Sequence, residues 1–201
     1  MKTLKLTKKD FKDTDNYWKE YIGKEDVSDY QGNIEIEGNL GYLRFTSIKV
    51  SGYIVAEAGS GIKAGWGIEA GWGIEAGEGI EAGEGIEAGW GIKAGRGIKA
   101  GRGIEAGEGI EAGLTINCKL SLNIACRIFA GLALWKKEVK DEEKTITCGN
   151  LENGKVEYGI LNETGMPEED KSENLSGKEV EVKLDGKTYT AVIRLTKPQG
   201  E

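Results

Sequence analysis

From Gly61 to Gly113 the chain reads GIKAGW-GIEAGW-GIEAGE-GIEAGE-GIEAGW-GIKAGR-GIKAGR-GIEAGE-GIEAG, a six-residue unit repeated without a slip. Isoleucine stands at 62, 68, 74, 80, 86, 92, 98, 104 and 110, and an alanine follows two residues after each. Between them is always a charge: Lys63, Glu69, Glu75, Glu81, Glu87, Lys93, Lys99, Glu105 and Glu111. A second variable position carries Trp66, Trp72, Glu78, Glu84, Trp90, Arg96, Arg102 and Glu108, and everything else is glycine. Ile-x-Ala is a minimal strand, with two apolar side chains on one face and a charge on the other. Three residues cannot hold a strand alone. Stacked copies supply the missing hydrogen bonds and bury a column of isoleucines. An α-helix is excluded, since two glycines per hexad cost ~2 kcal/mol per repeat, and collagen requires a period of three with proline. The expected fold is mostly β, a parallel β-solenoid of hexapeptide repeats. The Gly-x-Gly steps are expected to turn its corners through positive φ, which glycine adopts without penalty.

The number of hexads per coil follows from charge only in part. Opposite charges should stack across neighbouring strands and like charges should not. Opposite pairs dominate at separations of two and of three hexads, and like pairs dominate at one. One hexad per layer is thereby disfavoured, and two and three both remain. Over roughly Gly61 to Gly113 the repeat resembles the hexapeptide motif of left-handed parallel β-helices. That pattern has an aliphatic residue, then commonly Gly, Ala, Glu or Asp, with a small residue fifth. Here the fifth position carries Trp, Glu or Arg, so a flatter coil competes with a three-sided one. The resemblance implies acyltransferases or zinc-dependent carbonic anhydrases. Both rely on histidine, and this chain has none, so the enzymatic implication does not carry over.

Outward from the repeat, Ile34-Glu35-Ile36, Leu43-Arg44-Phe45, Ile48-Lys49-Val50 and Ile54-Val55-Ala56 look like degenerate versions of the same strand, with Glu57 to Ser60 breaking phase. Further upstream, Thr7 to Ile22 reads as one or two helical turns. Thr7 and Asp10 have the spacing of a capping pair, Asp15 is a candidate N-cap, Gly23 is a candidate stop, and Phe11, Trp18 and Ile22 share a face. Downstream, Leu114 to Cys126 alternates strictly, which places Cys118 and Cys126 inward with the apolar residues. Asn153-Gly154 suggests a hairpin joining Thr145–Cys148 to Val156–Leu161, and Asp185-Gly186 suggests one joining Glu179–Leu184 to Lys187–Leu195. The expected organisation is an N-terminal helical cap (1–32), degenerate coils (33–60), the perfect repeat (61–113), a β-rich capping region (114–161), an acidic linker (162–176) and a C-terminal β-hairpin (177–201).

Composition narrows function. The chain has 34 acids against 27 bases, a net charge of -7, which argues against a generic phosphate-binding surface. Without histidine it lacks the commonest general base and the commonest transition-metal ligand. Asp185-Gly186-Lys187-Thr188 ends like a phosphate loop but has Glu181 where the first glycine belongs. Asp13-Thr14-Asp15 starts like a calcium loop but places Trp18 and Lys24 at its sixth and twelfth positions. Catalytic residues, metal ligands and cofactors are therefore all expected to be absent. Three cysteines, no signal-peptide pattern and no bilayer-length apolar run fit a cytoplasmic protein with free thiols and no membrane contact.

The candidate binding residues are Trp66, Trp72 and Trp90, at a position otherwise charged, and Glu75, Glu78, Glu81 and Glu84, the longest acidic run without an intervening base. The tryptophans serve either as an anchor for a partner or as an internal cover beneath the terminal segments. The expected function is a non-enzymatic, acidic, macromolecule-binding rod that docks on a protein partner. Two alternatives are an inhibitor from a phage or mobile element, acting on a host nucleic-acid-binding or defence protein by DNA mimicry or in an anti-CRISPR-like way, and a structural phage or particle component. Direct nucleic-acid binding is not expected, and homo-oligomerisation is left open.

Overall fold

The computed structural model describes residues 1–14, 18–167, 179–184 and 187–192. The chain divides into two units, Met1–Met166 and Pro167–Glu201.

In the first unit, isoleucine pairs with isoleucine three hexads on. Ile74 lies opposite Ile92 and Ile92 opposite Ile110, all in parallel register. Eighteen residues make one coil, so the coil has three faces and the flatter two-hexad alternative does not occur. The first face stacks Thr3–Leu6, Asn33–Ile36, Ile54–Ala56, Ile74–Ala76, Ile92–Ala94, Ile110–Ala112 and the end of Ser121–Ala130. The second stacks Ile48–Val50, Ile68–Ala70, Ile86–Ala88, Ile104–Ala106 and the start of Ser121–Ala130. The third runs from Trp18–Tyr21 and Gly41–Phe45 through Ser60–Ala64, Ile80–Ala82, Ile98–Ala100 and Ile116–Cys118 to Thr145–Cys148 and Ile160–Glu163. Every repeat isoleucine and alanine is buried. At ~25 cal/mol per Å² of apolar surface, this column is the main stabilising element of the unit.

The degenerate strands before the repeat belong to the same coil, with Ile34 opposite Ile54 and Leu43 opposite Ile62. The phase break at Glu57 to Ser60 is absorbed by a turn. Gly59 takes a left-handed φ of 77°, and buried Ser60 donates its hydroxyl to the Glu37 carbonyl at 2.7 Å.

Four sequence expectations need correction. First, no N-terminal helix is seen among the described residues. Thr7 and Asp10 do form a capping pair, Thr7 N–H to Asp10 Oδ2 at 2.8 Å, but it closes only the 3-10 turn Lys8–Asp10. Phe11–Asp13 then pairs antiparallel with Trp18–Tyr21, extending the third face. Phe11, Tyr21 and Phe45 pack ring against ring at 5.4–5.8 Å, a cluster that aromatic residues reach readily from a pleated sheet. Of the supposed helical face, Phe11 is buried, Trp18 half-buried and Ile22 exposed; Asp15 lies outside the described residues.

Second, none of the repeat glycines has a left-handed φ. From Gly71 to Gly113 the residue after each repeat alanine is glycine because the neighbouring coil passes too close for a Cβ. At Gly83 an added Cβ would lie 1.9 Å from the Gly65 carbonyl oxygen.

Third, Cys126 is exposed while Cys118 and Cys148 are buried. The alternation from Leu114 to Cys126 crosses a corner, where three successive residues, Ala125, Cys126 and Arg127, point outward.

Fourth, Asn153-Gly154 makes no hairpin. Asn150–Tyr158 runs parallel to Ser121–Ala130 as a further coil, irregular in register, with Gly154 at φ 110°. Thr145–Cys148 pairs parallel with Ile160–Glu163. The step from Ile116 to Ile146 is thirty residues, because the segment between Gly131 and Lys144 leaves the coil as an excursion.

In the second unit, Glu179–Leu184 pairs antiparallel with Lys187–Val192, the hairpin expected around Asp185-Gly186. Most of the acidic linker expected over 162–176 lies outside the described residues, as do 193–201.

Candidate functional site

Because each coil spans three hexads, the second variable positions form three columns, one per corner. Backbone hydrogen bonds trace them. One carries Trp66, Glu84 and Arg102; another carries Trp72, Trp90, Glu108 and Cys126; the third carries Glu78, Arg96 and Leu114. The structure thus brings Trp72 and Trp90 together and sets Trp66 on a different corner. The Trp72 and Trp90 rings stack face to face, 5.3 Å between centroids and 6° from parallel. Tyr53 extends the column below Trp72 at 6.3 Å, its hydroxyl donating to Glu35 Oε1 at 2.7 Å. That hydrogen bond raises the Tyr53 pKa, because it favours the neutral phenol. All three tryptophans are on the surface, Trp66 at 63% exposure, Trp90 at 53% and Trp72 at 36%.

Beside the column, along the first face, runs a groove of about 450 Å³. Its floor is the outward side of that face, Val55, Glu75, Lys93, Glu111 and Phe129, and its wall is Tyr53, Trp72, Trp90 and Glu108.

The four glutamates chosen from sequence do not form a patch. Consecutive hexads face different ways, so Glu75 is on the first face, Glu78 on the third corner, Glu81 on the third face and Glu84 on the first corner. Each meets a base from the next coil: Glu75 with Lys93 (4.0 Å), Glu78 with Arg96, Glu81 with Lys99 (3.8 Å) and Glu84 with Arg102 (3.7 Å). Glu81 also pairs with Lys63 at 3.1 Å.

Within the perfect repeat, the carboxylates without an ion pair among the described residues come after these four in the chain: Glu87, Glu105, Glu108 and Glu111. On the second face Glu69, Glu87 and Glu105 stand directly opposite one another, a like-charge ladder in which, among the described residues, only Glu69 has an ion-pair partner, Lys49. Sequence reasoning missed these residues because it looked for runs along the chain. A step of eighteen finds them: 75, 78, 81 and 84 land on Lys93, Arg96, Lys99 and Arg102, whereas 87 lands on Glu105 and 90 on Glu108.

A second exposed apolar feature is the tip of the excursion, where Leu134 is 98% exposed and Trp135 lies beneath Arg96 (5.5 Å) and Lys136 (5.7 Å). The buried thiols are poor nucleophiles. Burial, with Cys148 close by, pushes Cys118 up to about 12, and burial with Glu163 near pushes Cys148 up to about 11. Among the described residues no group of three Cys, Asp or Glu could hold a metal ion, and no helix is long and apolar enough to cross a membrane.

Protein-family models, curated proteins and solved structures give no significant match to this chain.

Proposed function

We propose that the protein is a non-enzymatic binding rod of the hexapeptide-repeat β-helix type, which docks on a protein partner through the aromatic corner and its groove. The observation that carries this is the stacked, exposed pair Trp72–Trp90. Large aromatic side chains concentrate binding energy at interfaces. Here each ring already has its orientation fixed by the ring below, so docking sacrifices little side-chain entropy. A rod built from hydrogen-bonded coils keeps the wall and floor of the groove in register, which favours a preformed site. DNA mimicry is weaker support for function, because the longest acidic run is neutralised coil by coil by Lys93, Arg96, Lys99 and Arg102.

The test is affinity capture from a lysate of the source cells, using wild type, Trp66→Leu and the double variant Trp72→Leu/Trp90→Leu. The melting temperature of each is measured alongside. A partner retained by wild type and Trp66→Leu, and lost by a double variant that still melts like wild type, supports the reading. Retention by the folded double variant overturns it, as does a double variant that no longer folds, since the column would then be structural.

A further inference from the structure

We infer that the aromatic corner recognises an arginine side chain of its protein partner, with the guanidinium lying on the outer face of Trp90 and hydrogen-bonded by Glu108 and Glu111. This rests on the docking reading above and names the chemistry of the partner. One face of the Trp90 indole is covered by Trp72 at 5.3 Å. Among the described residues no ring and no cation lies on the other face, and Trp90 is more exposed than Trp72.

The residue one coil beyond Trp90 in its column is Glu108, whose backbone N–H donates to the Trp90 carbonyl at 3.1 Å. Neighbouring strands lie ~4.8 Å apart. A flat group stacked on Trp90 therefore reaches the level of the Glu108 carboxylate. Glu111 borders the same groove from the first face. Neither carboxylate has an ion pair among the described residues; on the floor of the groove Lys93 stands between Glu75, 4.0 Å away, and Glu111, its opposite number in the next coil.

Two other tryptophans, half-buried Trp18 and exposed Trp135, carry cations supplied by the chain itself. Trp18 holds Arg44 and Lys63 over its ring at 5.5 and 4.6 Å, and Trp135 holds Arg96 and Lys136. At Trp90 the chain supplies the ring and the carboxylates and leaves out the cation. Arginine fits this set better than lysine. Its guanidinium is planar, is weakly hydrated, stacks on indole, and directs N–H groups outward in its own plane towards a carboxylate.

The probes are three acetylated, amidated peptides of sequence GXGGXG, with X as arginine, lysine or citrulline, titrated calorimetrically into the full chain at low salt. Citrulline keeps the planar shape and removes the charge. The arginine peptide is expected to bind at least about tenfold more tightly than either of the others. Glu108→Gln/Glu111→Gln and Trp90→Leu are each expected to remove that preference, while Glu81→Gln, on the third face, is expected to keep it. Equal binding of the arginine and citrulline peptides overturns the inference. So does absence of binding by any peptide, or a preference that survives Glu108→Gln/Glu111→Gln. The docking reading fails separately: a captured partner that needs Trp72 and Trp90 but is held equally well by Glu108→Gln/Glu111→Gln leaves docking intact and sinks only the arginine assignment.

Discussion

Two glycines two residues apart should respond to the same substitution with opposite signs. Gly83 follows Ala82 and Gly85 precedes Ile86, and a reading from sequence treats them alike. An added Cβ at Gly83 would lie 1.9 Å from the Gly65 oxygen and 3.0 Å from its carbonyl carbon, both backbone atoms that cannot swing away. A carbon needs about 3.3 Å from a carbonyl oxygen, so the coils must separate locally by more than ~1 Å. That stretches the hydrogen bond from Gly83 N–H to the Ala64 carbonyl, now 3.0 Å. One weakened hydrogen bond at about 1 kcal/mol and overpacking at 1–3 kcal/mol make Gly83→Ala destabilising by about 2–4 kcal/mol. At Gly85 the nearest atom is the Gly103 oxygen at 3.6 Å, an ordinary contact, and φ is not left-handed. Gly85→Ala should therefore stabilise by about 0.4–1 kcal/mol through the entropy of the unfolded chain. At roughly 2–4 °C per kcal/mol for a chain of this size, the first variant should melt about 4–16 °C lower and the second about 1–4 °C higher. Scanning calorimetry on both decides it. Equal shifts, or Gly85→Ala being the more harmful, would refute close approach as the reason for glycine at the corner.

Charge reversals on two faces of one coil give a second matched pair. Glu81→Lys breaks a position between Lys63 and Lys99, whereas Glu87→Lys repairs one between Glu69 and Glu105. Both change net charge equally, yet at about 1 kcal/mol each the stabilities should diverge by about 2 kcal/mol, with Glu87→Lys the more stable. Thermal melts at low salt should show this gap and molar salt should shrink it; identical melting temperatures would mean the eighteen-residue register is wrong. For the thiols, an alkylating reagent near neutral pH should label Cys126 and spare Cys118 and Cys148 in the folded protein, as read by mass spectrometry. Because the folded state keeps protons that the unfolded state releases, stability should fall as pH rises from the ordinary thiol value of 9.0 through about 11 and 12. Cys118→Ala/Cys148→Ala should flatten that alkaline limb, and an unchanged limb would show that these thiols do not cause it.

The hexad repeat alone dictated a parallel stack with isoleucine and alanine inside and charge outside, because a period-two alternation three residues long has one way to bury its apolar face. The C-terminal hairpin was marked separately, since Asp185-Gly186 is a local signal between two alternating runs. Thr7 and Asp10 announced a cap correctly but not what followed it, because Phe11 and Tyr21 gain more from packing on Phe45 than a short helix would have gained. The length of a coil was beyond the sequence: charge pairing at twelve and at eighteen residues is nearly equal, and only the backbone register of Ile74 with Ile92 separates them. That one choice then decided the surface. It stacked Trp72 on Trp90 and sent Trp66 to another corner, and it tied Glu75, Glu78, Glu81 and Glu84 to bases while leaving Glu87, Glu105, Glu108 and Glu111 without ion-pair partners among the described residues. Residues far apart in the chain become neighbours only through the pitch of the coil, and pitch is set by how backbones stack, a property carried by no single hexad.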